Sequence, residues 1–206
     1  MFTGIVETIG RIMRHDPAPD GVSVKMTVSA PFSGDLAIGE SVALNGICLT
    51  VIEHRAQTFD VEATVTTQSL TTLGTWSVGS PVNLERSVTP TTRLGGHWVL
   101  GHIDTTGTIV GIAESGDANQ VTINYPSEFV DLVLPLGSIT IDGASLTVVS
   151  CHESCFTVTL IPHTQAVTTL GEWRTGNAVN LEFDVLGKYV KHLLRGNGES
   201  TWLQKK

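Results

Sequence analysis

Long apolar runs are missing from this sequence. No stretch approaches the ~20 consecutive apolar residues that a membrane-spanning helix needs, so a helical membrane protein is not expected. The opening Met1-Phe2-Thr3-Gly4-Ile5-Val6-Glu7 has neither a basic start nor an apolar stretch, which argues against a secretory signal there. Cysteine is scarce: three residues without paired spacing exclude a disulfide framework and point to a reduced, cytoplasmic protein. Positive charge is also short. Twelve Lys and Arg against twenty Asp and Glu leave a net charge of −8, with no basic stripe to follow a nucleic-acid backbone. Neither a Lys/Arg cluster nor a Gly-rich phosphate loop is present, so a polyphosphorylated substrate is not expected. Disorder is excluded too, because 41% of residues are hydrophobic and only 16% charged.

What is abundant is glycine, with 21 residues, among many Val, Thr and Ile, a composition of short strands and tight turns. The chain also repeats itself at an offset of 97 residues. Gly46, Leu49, Thr50 and Val51 fall on Gly143, Leu146, Thr147 and Val148. Thr71-Thr72-Leu73-Gly74 falls on Thr168-Thr169-Leu170-Gly171, Trp76 on Trp173, and Val82-Asn83-Leu84-Glu85 on Val179-Asn180-Leu181-Glu182. The offset reads as constant, with no insertion between the copies. A period this long suits a complete small domain rather than a solenoid. The expected division is 1–97, 98–186 and a tail at 187–206. Val24, Met26 and Val28 alternate with polar neighbours, as do Val42 with Leu44 and Val82 with Leu84, while Asn45-Gly46 and Asp142-Gly143 are hairpin-turn pairs. Many short strands in under 100 residues predict an all-β fold of two small closed barrels, since closure removes exposed edges. The tail differs: Val185, Leu186, Tyr189, Val190, Leu193 and Leu194 recur at helical spacing, with Lys188, Lys191, His192 and Arg195 between them and Gly196 at the end. Such a stripe either packs on its own barrel or joins subunits, and the second is preferred.

The copies differ where reactive groups stand. Cys48 corresponds to Ser145, Ile5 to His102, Ser87 to Asp184, and Thr66 to His163. Two similar pockets would then treat two similar molecules differently. Cys48 fits either a small buried hydrophobe or a thiol that needs help to ionise. His97 and His102 lie in Gly95-Gly96-His97-Trp98-Val99-Leu100-Gly101-His102, where the glycines would let backbone approach a ligand. Imidazole suits acid–base work, although a lone histidine is often structural. Zinc held by Cys48, His97 and His102 is disfavoured without a Cys-x-x-Cys pair, and Cys151 and Cys155 read as ordinary strand residues.

The opening heptapeptide, Asn45-Gly46-Ile47-Cys48-Leu49-Thr50-Val51, Gly95 to Asp104, and Gly137-Ser138-Ile139 through Asp142-Gly143-Ala144-Ser145-Leu146-Thr147 together resemble the riboflavin synthase family over nearly the whole chain. The resemblance implies two six-stranded Greek-key barrels and a C-terminal helix that builds a homotrimer, with each active site between barrels of different subunits. It implies conversion of two 6,7-dimethyl-8-ribityllumazine molecules to riboflavin and a ribitylamino-pyrimidinedione, without metal or cofactor, and an association with lumazine synthase. Carried onto this chain, the reactive groups are His102, the first candidate base, with Cys48, Ser145, Thr147, Asp184, His97 and Ser41. The ligand-contact segments are Phe2 and Gly4 to Val6, Leu49 and Thr50, Glu62-Ala63-Thr64-Val65-Thr66-Thr67, Gly101 to Ile103, Leu136, Leu146, and Ile161-Pro162-His163-Thr164-Gln165-Ala166. Two positions depart from the family: Leu136 stands where Lys is common, and Val65-Thr66-Thr67 where Pro-Glu-Thr is usual. Non-catalytic relatives, an optical antenna that holds lumazine or flavin, or a flavin carrier, share the fold but lack reactive residues.

Overall fold

The computed structural model describes residues 1–17 and 23–196; the tail beyond Gly196 lies outside the described residues. The first copy supplies β1 (Thr8–Pro17), β2 (Ser23–Ser29), β3 (Ser41–Leu44), β4 (Ile47–His54), β5 (Thr58–Thr64) and β6 (Pro81–Arg86), with helix α1 (Val65–Leu70) after β5. The second supplies β7 (Thr105–Ser115), β8 (Ala118–Asn124), β9 (Ser138–Ile141), β10 (Ala144–His152), β11 (Cys155–Leu160), helix α2 (Pro162–Val167) and β12 (Ala178–Phe183), and helix α3 (Val185–Gly196) follows. Each set of six strands closes into an antiparallel barrel. The order is β1-β2-β5-β4-β3-β6, repeated as β7-β8-β11-β10-β9-β12. Because β6 returns beside β3 rather than β5, the path is a Greek key.

The alternation seen in the sequence is what closes the barrels. Val24, Met26 and Val28 point inward from β2 and their neighbours stay part-exposed. Each barrel has its own core, around Ile12, Phe59 and Leu84 in the first and Ile109, Phe156 and Leu181 in the second. The constant offset needs correction. Met26 pairs with Val61 and Val121 with Val158, so β2 and β8 are related by 95 residues while β5 and β11 keep 97. Two residues more in the first hairpin are cancelled before β3, where Val42 and Ile139 again match, so blocks on either side conceal the slip. The six-residue helices α1 and α2 are too short to show a helical period.

The barrels meet through a network that the pseudo-twofold repeats. Asn45 and Gly46 turn with φ 43° and 80°, Asp142 and Gly143 with 45° and 83°, the left-handed pair of a type I′ hairpin. The two tips abut: a Cβ on Gly143 would stand 2.7 Å from the Gly46 nitrogen. Asn83 Nδ2 donates to the Asp142 carbonyl (2.8 Å) and Asn180 Nδ2 to the Asn45 carbonyl (3.0 Å). Their Oδ1 atoms accept from Thr169 N–H (2.8 Å) and Thr72 N–H (2.7 Å) of the opposite copy.

Asp142 is the acidic counterpart of Asn45 in that network. Its Oδ1 accepts from Asn180 N–H (2.8 Å) and its Oδ2 from the Trp173 indole (3.3 Å). Burial pushes the carboxyl from its ordinary 3.8 up to about 7. A carboxyl that holds its proton more tightly folded than unfolded contributes stability below the unfolded value, and that contribution disappears as pH rises through the folded one. Wild-type stability should therefore fall between pH 3.8 and about 7. Asp142→Asn has no proton to lose there. It should flatten the fall, though its amide would face the Trp173 N–H and lower stability throughout. Denaturation midpoints at about pH 5 and about pH 8 check this; equal differences in the two proteins would contradict it.

Candidate active site

Two crossing segments build the site. Phe2 and Val99 exchange backbone hydrogen bonds (2.7 and 3.2 Å) on the pseudo-twofold. From there each segment reaches the other barrel: Ser145 N–H donates to the Gly4 carbonyl (2.7 Å) and Cys48 N–H to the Gly101 carbonyl (2.9 Å). Gly4 and Gly101 have φ of +78° and +80°, and a Cβ on them would fall 2.6 Å from Ser145 Cβ and 2.5 Å from Cys48 Cβ. A Cβ on Gly96 would stand 2.2 Å from the Thr3 carbonyl. Gly96 and Gly101 thus permit backbone to press against protein, where the sequence suggested approach to a ligand.

On barrel two, Ser145 and Thr147 lie opposite Thr140 and Ser138 on the outer face of β10 and β9. His97 is buried over them, with Nδ1 2.7 Å from Ser145 Oγ and Nε2 3.2 Å from Thr140 Oγ1. Burial pushes the His97 imidazole below its ordinary value, with Asp184 pulling the other way. A neutral ring between two hydroxyls accepts from one and donates to the other, so His97 polarises Ser145 or orients it, depending on tautomer. Asp184 follows β12 and precedes α3, and its Oδ1 accepts from Leu186 N–H (2.9 Å). A groove of about 680 Å³ between this barrel and α3 is lined by Leu134, Ser138, Asp184, Leu186, Val190 and Leu194. Ile5 and the α2 residues Pro162, His163 and Ala166 are exposed, as is Ile161 just before them, while Val6 and Leu146 pack on the core. Gln165 is committed to structure, donating to the Leu160 carbonyl (2.9 Å) and accepting from Asn119 (3.0 Å). Thr164 holds the α2 end through Thr168 (2.6 Å).

On barrel one, Cys48 is half-buried beside Phe2, Ala43 and Val99. Ser41 pairs with Thr50 across β3 and β4, and His102 is exposed. Ile103 packs on the barrel-one core. Phe2, Leu49 and Ala63 are buried and stand across from Val99, Val42 and Val24 in the strand pairing. Glu62 accepts from Ser23. The equivalent groove, about 510 Å³, holds Glu40 and Ser87 where the other holds Gly137 and Asp184, and the linker residues Thr89, Thr92 and Arg93 line it where α3 lines the other.

The Val65-Thr66-Thr67 departure from the family pattern has a local explanation, and nothing in the structure explains Leu136. Val65-Thr66-Thr67 open α1, and Thr64 caps it by accepting from Thr67 N–H (3.3 Å). In the second copy Ile161 cannot cap, and Pro162 at the first helical position sets the turn instead. Leu136 has φ +64° and is 83% exposed, at the position where the first copy has Gly39.

The structure brings His97, Ser145, Thr140 and Gly4 together on barrel two, and Cys48 and Gly101 together on barrel one. Cys48, His97 and His102 do not form a metal triad; among the described residues no three His, Cys, Asp or Glu side chains are grouped to hold an ion. Sequence reasoning missed Thr3, Glu85, Thr140 and Glu182. Glu85 accepts from Thr3 N–H (2.7 Å), Thr3 Oγ1 (2.7 Å) and Gly4 N–H (3.0 Å). Glu182 accepts from Leu100 N–H (2.7 Å) and Gly101 N–H (2.9 Å). Their signal was the repeated Val-Asn-Leu-Glu.

Paired six-stranded barrels with equivalent outer half-sites define a class, and the lumazine binding domain family matches the chain twice, at residues 3–87 and 100–184. A riboflavin synthase of Mycobacterium bovis is 41% identical over 203 residues, 96% of this chain and all of its own length. That of Photobacterium phosphoreum is 39% identical over 194 residues, covering 94% and 89% of the two chains. The chain belongs to the riboflavin synthase family. Among solved structures, LumP in complex with riboflavin superposes with a TM-score of 0.81 at 25% identity, over 89% of this chain and 99% of LumP. LumP with 6,7-dimethyl-8-ribityllumazine gives 0.78 over 88% and 98%.

Proposed function

We propose that this chain is a riboflavin synthase that joins two 6,7-dimethyl-8-ribityllumazine molecules, one in each kind of half-site. A four-carbon unit passes from one to the other, giving riboflavin and 5-amino-6-ribitylamino-pyrimidinedione. The observation that carries this reading is the pairing of equivalent half-sites with unlike chemistry: a thiol and exposed His102 on barrel one, His97, Ser145 and Thr147 on barrel two. Holding two substrates face to face supplies much of the rate. One lumazine must lose a proton from its C7 methyl, whose anion delocalises into the ring, and His102 is the base. The other is activated at C7 by Cys48, by Ser145, or by water held at Asp184 and Thr147. The ribityl chain asks for hydroxyl partners rather than countercharge, in keeping with Ser41, Thr50, Ser138 and Thr147.

The reading extends to assembly. Barrel two holds the basic side of α3 through Lys188 to Asp104 (2.6 Å) and Lys191 to Asp131 (3.3 Å) and the Glu128 carbonyl (3.0 Å). Its Leu186, Tyr189, Val190, Leu193 and Leu194 remain exposed. A contiguous apolar face of this kind marks an interface. Helices from three copies would cover it and bring barrel one of one subunit to barrel two of the next, in the cytoplasm, where lumazine synthase is a natural associate. A site shared between subunits is tested by complementation. Gly101→Ala impairs barrel one and Gly4→Ala barrel two; refolding the two together should raise riboflavin formation well above that of either alone. Mixtures no more active than their parts would contradict the shared site.

Leu136→Lys should strengthen lumazine binding on the order of ten-fold, the effect of one charge-assisted hydrogen bond at an exposed position. Titration followed by lumazine fluorescence measures it. An unchanged Kd would mean that this rim does not face the ligand.

A further inference from the structure

The repeated Val-Asn-Leu-Glu places, one residue before the end of each barrel's last strand, a carboxylate to which the proposed reaction gives no role. Glu85 lies in one cross-strand row with Ala43 and Cys48, and Glu182 in one with Thr140 and Ser145. A strand's outer face would ordinarily carry such a glutamate into water, yet both are buried, at 6% and 1% exposure. Each is covered by a crossing segment whose successive N–H groups converge on it. Glu182 takes Leu100 and Gly101 N–H, one on each oxygen. Glu85 takes Thr3 N–H on one oxygen and Gly4 N–H on the other, with the Thr3 hydroxyl added. Burial pushes both carboxyls up, Glu182 to about 7, and the converging N–H groups oppose that rise; hydrogen bonds to the charged form are among the stronger ones.

The segment that each glutamate holds bonds the reactive strand of the other barrel, while Thr3 and Ile5 also line the barrel-one groove. Gly101, held by Glu182 of barrel two, takes the Cys48 N–H of barrel one on its carbonyl and precedes His102. Gly4, held by Glu85 of barrel one, takes the Ser145 N–H of barrel two, and the adjoining Thr3 carbonyl takes His97 N–H (3.1 Å). We infer that Glu182 and Glu85 are crossed positioning residues: the carboxylate of each barrel sets the geometry of the half-site on the other. Glu182 fixes Cys48 and His102 through Leu100-Gly101, and Glu85 fixes Ser145 and His97 through Thr3-Gly4. The two half-sites are therefore not independent; a disturbance at Glu182 is carried to the barrel-one half-site through Leu100-Gly101. This deepens the proposed reading, because it names what aligns the reactive groups of each half-site.

A glutamine at either position can accept from one N–H but presents its own NH2 to the next, so one clamp bond breaks while shape is kept. The test uses Glu182→Gln and Glu85→Gln in the full chain, with wild-type-like melting as the check on folding. Histidine ring signals are recorded by NMR and Cys48 alkylation by iodoacetamide is timed, with Cys151 and Cys155 as internal controls. Glu182→Gln should shift the His102 signal and change the Cys48 rate several-fold while leaving His97 in place. Glu85→Gln should shift His97 and leave His102. Thr140 is Glu182's cross-strand neighbour and His97's partner, so a merely local defect would do the reverse and move His97 in Glu182→Gln. That pattern, or no change at either histidine, overturns the proposal. If a glutamine variant does not fold, the corresponding aspartate variant, which withdraws the charge from both N–H groups, is held to the same crossed pattern. Failure of both to fold also overturns it, because the residues are then only structural. None of these signals needs turnover, so they separate this inference from the enzymatic reading, which wild-type riboflavin formation tests by itself.

Discussion

Asn180→Ala is expected to lower the melting temperature by about 5–15 °C, among the largest stability losses any single side chain here can cause. The side chain is fully buried between the barrels. Its removal strands two backbone groups, Thr72 N–H and the Asn45 carbonyl, that now bond at 2.7 and 3.0 Å. Each unsatisfied buried group costs roughly 1–3 kcal/mol, and the vacated volume adds to it. Asn180→Asp keeps the Oδ1 acceptor but sets a carboxylate oxygen against the Asn45 carbonyl, so it should be at least as damaging. Asn83→Ala removes the equivalent links to Thr169 and Asp142 and should behave alike. Calorimetric or circular-dichroism melting checks all three; a shift of a degree or two would mean that the barrels are held by other contacts.

Gly101→Ala is expected to reduce turnover about a hundred-fold, the scale of an ångström-sized misplacement in a site. The new methyl would sit 2.5 Å from Cys48 Cβ, 2.9 Å from the Phe2 ring and 3.0 Å from the Cys48 nitrogen, at a φ of +80° that side chains rarely adopt. None of these neighbours is the free end of a flexible chain. The crossing segment must lift from barrel one and carry His102 with it. Stability should fall as well, because the methyl presses on Phe2 and Cys48 of the small apolar cluster under the crossing segments. Steady-state rates beside a melting curve separate the two effects, and unchanged kcat in a folded variant would remove Gly101 and its neighbours from the site.

The fold was readable because barrel interiors obey a period of two. Val24, Met26, Val28 and their counterparts face inward, and the Asn-Gly and Asp-Gly pairs mark tight hairpin turns. The repeat was readable in its blocks but not in its one slip, since two residues gained in a hairpin and lost before β3 leave no trace on either side. The helical tail was readable from its stripe, and the structure adds that the basic side faces the barrel.

The site was less legible. Cys48, Ser145, His97 and His102 stood out as differences between copies, and the family pattern supplied the rest. Asn83, Glu85, Asn180 and Glu182 did not stand out, although the repeat displayed them twice. Alternation puts them on the outer face, which a sequence reading assigns to solvent. Only the other barrel and the crossing segments, contributed by residues far away along the chain, turn that face into an interior. The same distance explains the glycines: Gly96 and Gly101 read as openings for a ligand, whereas what approaches them is Thr3 and Cys48.

The most direct test of the account is to mix the purified protein with 6,7-dimethyl-8-ribityllumazine alone and follow lumazine loss and riboflavin appearance by absorbance. The account predicts one riboflavin for every two lumazines consumed, with no metal or cofactor added. Tight binding of lumazine without riboflavin would contradict it, and would place the chain with binding proteins of the same fold.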